Sequence, residues 1–108
     1  MKIDWPVLFR DALGAARSAV EKNAPQIEDF LREIGRAHED AIRSIGDAYA
    51  DGDIDAETFA SELDDEAATL AAELRVAAVM SKAIAQRAAN AFRDTVLAGV
   101  NAAVAAVL

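Results

Sequence analysis

The chain has 108 residues, which suits one small domain, and it is acidic, with 11 Lys and Arg against 19 Asp and Glu and a net charge of −8. The lack of cysteine excludes a disulfide framework, a thiolate zinc site and a cysteine nucleophile. The negative charge argues against general nucleic-acid binding, which depends on Lys and Arg at the phosphates. The hydrophobic fraction of 54% is too high for a disordered chain. Because 27 residues are alanine, which favours helix but buries little area, we predict one all-α domain over residues 1–108 with a weak core.

The first half of the chain predicts a short helix, a longer helix and a turn. Asp4 is a plausible N-cap and Pro6 suits a first helical turn, so a helix is expected over ~5–22. Pro25 ends or interrupts it and can begin a second helix over ~25–50, whose apolar residues recur every three or four positions. Gly52 is expected to end that helix, with a turn over 51–55.

The second half of the chain predicts one long helix over ~56–108, because this stretch has no proline and a single glycine, Gly99. A helix of that length is on the order of 80 Å. With the second helix it forms an antiparallel hairpin, since the connection between them is short. The expected fold is therefore a short N-terminal helix plus a long helical hairpin.

The last fourteen residues, 95–108, carry no charge and are apolar on nearly every side. They are fewer than the ~20 residues that a membrane-spanning helix needs, and a helix that is apolar all round is otherwise buried in protein. We therefore expect several copies to assemble into a multi-chain helical bundle. The expected contact residues are apolar positions of the first and last helices: Trp5, Phe9, Leu13, Phe92, Val96, Val100, Val104 and Leu108.

The acidic stretch from Asp47 to Thr58 has the spacing of an EF-hand calcium loop in part, with acidic residues at several ligand positions and Gly52 at the turn. Tyr49 stands at one ligand position, and Thr58 replaces the bidentate glutamate that closes such loops. We interpret the stretch as a solvated acidic turn and leave weak calcium binding open.

The single histidine, His38, lacks the Glu-x-x-His spacing of carboxylate metal sites in four-helix proteins, because Gly35 stands three residues before it. Glu39, Glu62 and Glu66 could approach it across the hairpin. We predict a histidine that flanks the core, with no metal, cofactor or catalytic residue, and the protein is not expected to be an enzyme.

Two short segments carry a resemblance. The opening Lys2-Ile3-Asp4-Trp5-Pro6 with Leu8-Phe9-Arg10, and the Gly-x-Ile-x-x-Glu turn at Gly52–Glu57 ahead of an Ala-rich helix, resemble a family of small uncharacterised bacterial and prophage-type helical proteins of about this length. The resemblance implies a structural or assembly role and carries over no site residues.

The function predicted from sequence is that of a non-enzymatic, self-assembling structural or scaffold protein that forms a homo-oligomer through its Ala-rich C-terminal helix. One alternative is a membrane-active or pore-type protein that inserts its apolar tail, and a second is a carboxylate metal-binding four-helix protein. The expected partner is the chain itself, with another protein left open and a membrane not favoured. The expected location is cytoplasmic, because no signal-peptide pattern opens the sequence.

Overall fold

The computed structural model describes residues 3–20, 24–77 and 80–107, and within them the chain is helical with no strand. The helices are α1 (Trp5–Val20), α2 (Ala24–Ala50), α3 (Ala56–Ala77) and α4 (Lys82–Val107). The predicted all-α class is confirmed, and the first two helices and the turn lie close to their predicted positions.

The helix ends follow the local signals in the sequence. The backbone N–H of Val7 donates to Asp4 Oδ1 at 3.3 Å, and that of Thr58 donates to Asp55 Oδ1 at 2.7 Å, so these aspartates cap α1 and α3. Gly52 has φ of 84°, a left-handed conformation that glycine adopts without a steric penalty. A tight turn can therefore follow α2.

The predicted uninterrupted helix over ~56–108 is wrong, and so is the long hairpin built on it. α3 ends at Ala77, residues 80 and 81 are not helical, and α4 begins at Lys82. Ser81 caps the new helix, because its Oγ accepts a hydrogen bond from the backbone N–H of Ile84 at 3.2 Å. The chain folds back here because α4 can then bury its apolar side against α1 and α3, which an 80 Å helix would leave in water.

The helices form an antiparallel four-helix bundle with extents of 41 × 22 × 19 Å. Each helix packs against its neighbours in the order α1, α2, α3, α4 and back to α1. Trp5 Nε1 donates to Asp47 Oδ1 at 3.0 Å, the rings of Tyr49 and Phe59 stack at 5.0 Å, and the Tyr49 hydroxyl donates to Asn101 Oδ1 of α4 at 3.1 Å. The turn over 51–55, the start of α1 and the end of α4 therefore lie at one end, which we call the turn end; the other is the far end.

The core runs through the centre of the bundle and includes an aromatic chain, Trp5–Phe9–Phe92, with centroids 5.9 Å apart at each step. Close approach is greatest at Gly46 and Gly99, because a Cβ at Gly46 would overlap the Trp5 indole and one at Gly99 would overlap Leu8. The largest fully buried side chains are aromatic, leucine, isoleucine and valine: Phe59, Phe92, Leu31, Ile42, Leu63, Leu70, Leu74, Val96 and Val100.

Most of the residues predicted to join one chain to another lie in the core of a single chain. Five of the eight are at most 4% exposed, and they are Trp5, Phe9, Phe92, Val96 and Val100. Leu13 and Val104 are half-buried, and Leu108 lies outside the described residues. The expectation that one chain could not shelter its apolar tail is therefore wrong for the large side chains, because α1 covers them. What the tail leaves exposed is mainly alanine.

Candidate interaction surfaces and the buried histidine

The exposed side of the last turns of α4 is small and uncharged. Its residues are Ala98, Asn101, Ala102, Ala105 and Ala106, and all five are exposed. Their spacing of three and four places them on one side of the helix. We call this surface the α4 face. It is the opposite side of the helix from Val96 and Val100, which are buried.

The α4 face differs from the other helix surfaces in the described chain because those carry charged side chains. The exposed side of α3, for example, bears Glu57, Glu62, Asp64 and Asp65. Asp94 lies one turn before Ala98 on the same side of α4, and Arg93 donates to it and to Asp64 of α3, both at 2.7 Å. These carboxylates raise the pKa of Arg93 above its usual range. The charged group nearest the face is therefore Asp94, whose negative charge is paired with Arg93.

A helix that crosses a bilayer needs a span of sufficient length and apolarity. Within residues 3–20, 24–77 and 80–107, no helix meets both requirements for crossing a bilayer.

Charge is distributed unevenly between the two ends of the bundle. Among described side chains, the half nearer the turn (3–11, 37–66 and 91–107) holds fourteen acidic and three basic residues, a net of −11. The other half (12–20, 29–36, 67–76 and 80–90) holds three acidic and six basic residues, a net of +3. The six basic residues are Arg17, Arg32, Arg36, Arg75, Lys82 and Arg87. The folded chain is therefore electrically polarised along its long axis.

A groove between α1 and α2 begins at mid-bundle and extends toward the far end. It measures about 250 Å³ and is lined by Arg10, Leu13, Gly14, Arg17, Leu31 and Arg32, and we call it the arginine groove. Leu31 is buried and Leu13 half-buried, so the floor is apolar, whereas the three arginines are exposed, with Arg10 Nε 3.7 Å from Asp11 Oδ1. A Cβ at Gly14 would meet no atom within 4 Å, so this position opens directly into the groove.

The acidic turn uses two of its EF-hand-like carboxylates for structural purposes. Asp47 lies inside α2, where its Oδ1 accepts the Trp5 indole N–H, and Asp55 accepts the Thr58 N–H as the cap of α3. The hydrogen bonds from Thr58 hold the pKa of Asp55 below its ordinary value. Because α2 remains helical to Ala50, the stretch 47–58 does not have the extended ligand loop of an EF-hand.

The buried histidine lies between two carboxylates of α3. His38 is 8% exposed, and its Nε2 is 3.3 Å from Glu73 Oε1 while its Nδ1 is 3.6 Å from Glu66 Oε1. Of the three glutamates expected near it, Glu66 is correct, Glu39 lies 4.0 Å from Arg43 instead and Glu62 is exposed, whereas Glu73 was missed. The missed signal was the spacing of Glu66 and Glu73. Seven residues are two helical turns, so both carboxylates lie on one side of α3 with the imidazole ring between them.

The His38 cluster joins α2 to α3 and is not arranged as a metal centre. Among the described residues, no group of three or more His, Asp and Glu side chains has a geometry that could hold a metal ion. The chemistry available to this cluster is hydrogen bonding between two helices.

Comparison of the chain with protein-family models, with curated proteins and with solved structures gives no match. The resemblance to bacterial and prophage-type helical proteins stays a prediction, and the function has to be argued from the surfaces described above.

Proposed function

We propose that this protein is a non-enzymatic structural module that associates with copies of itself through the α4 face. The observation that carries the proposal is the uncharged exposed surface of Ala98, Ala102 and Ala105 on a protein whose other described helix surfaces are charged. Alanine side chains allow two helices to approach closely, and the uncharged surface removes the cost of desolvating ions at a contact. This surface replaces the buried residues from which the sequence predicted assembly.

The proposed contact is a two-fold pairing in which α4 of one copy lies against α4 of another. In such a symmetric contact the same surface is used twice, so the chain needs only one complementary face. Ala102 lies near the middle of this face, and the acidic turn at the same end stays exposed to water. A cytoplasmic location and a scaffold role in the cell belong to this proposal.

The proposal is tested by placing a charge on the α4 face and measuring mass in solution by light scattering. Ala102→Glu would bury two carboxylates at a symmetric contact, so at high salt, where contacts between charged surfaces are weakened, we expect the mass to fall to that of one chain. Ala83→Glu is the matched control, because Ala83 is also an exposed alanine of α4 but lies near its start. If both variants keep the mass of the unmodified protein, α4 is not the contact. Val100 is unsuitable for this test because it is fully buried, and a charge there would disrupt folding.

A further inference from the structure

We propose a second contact between copies, in which the acidic turn of one molecule docks into the arginine groove of the next. The two surfaces lie toward opposite ends of the bundle: the turn follows Ala50, whereas Arg17 and Arg32 lie near the end of α1 and the start of α2. A molecule cannot fill its own groove with its own turn. A turn that docks in this groove therefore comes from a second copy, and the contact runs end to end.

Charge complementarity is the first argument for this occupant. The groove is lined by three exposed arginines, and the turn presents the exposed carboxylates of Asp51 and Asp53. A guanidinium group has five N–H donors in a planar fork and can bind a carboxylate with two parallel hydrogen bonds. All three arginines also make contacts within the chain, Arg10 with Asp11, and further donors on the same groups can serve the incoming carboxylates.

The shape of the two surfaces is the second argument. The turn is narrow at its tip, because Gly52 has no side chain and its left-handed φ of 84° reverses the chain within a few residues. The groove has an apolar floor at Leu13 and open space above Gly14. Leu13 was predicted from sequence as a contact residue, and here it would meet the backbone of the turn.

The net charge of −8 does not prevent this contact. The bundle is 41 Å long, whereas electrostatic interactions are screened over about 8 Å at physiological ionic strength. The local pairing of a positive groove with a negative turn therefore outweighs the repulsion between distant acidic ends. Two copies joined in this way still have one unoccupied turn and one unoccupied groove. Further copies can therefore be added, which builds a ring or a filament. It is independent of the α4 face and goes beyond the two-fold pairing proposed above.

The test uses the full chain with Ala102→Glu, which removes the α4 contact. We expect this protein still to associate at low salt and to dissociate as salt is raised. Adding Gly14→Glu places a carboxylate in the groove and should weaken the association by about tenfold or more, because like charges then meet. Gly14→Lys is the matched control with a similar reach and the opposite charge, and it should preserve the association. Both substitutions point into open space, so the fold tolerates them.

A mixing experiment gives the sharpest result. A chain with Gly14→Glu keeps its turn, and a chain with Asp51→Lys and Asp53→Lys keeps its groove, both in the Ala102→Glu background. Each should be a single chain alone, and an equimolar mixture should form a complex of two chains and no larger species. The proposal is overturned if the Ala102→Glu protein is already a single chain at low salt, or if Gly14→Glu and Gly14→Lys behave alike. Failure of the α4 proposal gives a different result, because in that case Ala102→Glu has the same mass as the unmodified protein.

Discussion

At the scale of single residues, glycines decide how closely α1 approaches the rest of the bundle. Gly46 lies against the indole of Trp5, which is 4% exposed and held by Asp47, whereas Gly14 faces open space. The same substitution should therefore have opposite effects at the two positions. The sequence indicated that glycines in α2 mark close helix contacts, but it did not identify Trp5 as the partner.

Gly46→Ala should reduce the free energy of unfolding by about 1–3 kcal/mol, because the new methyl group displaces the Trp5 ring. Gly14→Ala should increase it by roughly 0.5–1 kcal/mol, since alanine favours helix and meets no neighbour. Urea unfolding followed by circular dichroism measures both. Equal effects at the two positions would show that Trp5 does not lie against Gly46.

Asp55 makes the cap of α3 dependent on pH. The hydrogen bonds from Thr58 lower the pKa of Asp55 in the folded chain, so its contribution to stability is present above the ordinary value of 3.8 and is lost as pH falls through the lowered pKa. Asp55→Asn retains an N-cap that does not titrate in this range. The variant should therefore lose less stability than the unmodified protein between neutral and strongly acidic pH, as measured by urea unfolding. A larger loss in the variant would contradict this role of Asp55.

At the scale of helices, the sequence predicted α1, α2 and the turn but joined α3 to α4. The missed signal was Ser81, a residue that favours the N-cap and here accepts the Ile84 N–H. No proline or glycine lies between α3 and α4, so local preference permits a continuous helix. The break is favoured only by the packing of Phe92 and Val96 against the rest of the bundle. Such tertiary effects cannot be derived from local pattern. His38 shows the same limit, because its partner Glu73 is identified only when α2 and α3 are aligned.

The break between α3 and α4 can be measured by spin labels at Ser61 and Asn90, both exposed, in a chain that has no native cysteine. In one continuous helix these positions would be about 44 Å apart at 1.5 Å per residue. In the bundle α3 and α4 lie side by side, so we expect a separation below about 25 Å. Labelled protein diluted with unlabelled chain excludes distances between copies, and a distance near the longer value would contradict the bundle.

At the scale of the whole molecule, the folded chain combines a complete core with an uncharged α4 face and a strong charge gradient. The core explains how one copy can fold, and the exposed surfaces, not the buried tail, are the reason to expect association. The sequence predicted assembly through the end of α4, and the contact proposed here lies in the same segment, but the structure corrects the reason. The large side chains of that segment pack inside, and its alanines face outward.

The most direct measurement is the mass of the unmodified protein in solution across concentration and salt, with circular dichroism to confirm that it is helical. We predict a mass above that of one chain at moderate concentration. Raising the salt should lower this mass but leave it above that of one chain, because the α4 contact is uncharged. A helical protein that keeps the mass of one chain at every concentration and at low salt would contradict the account.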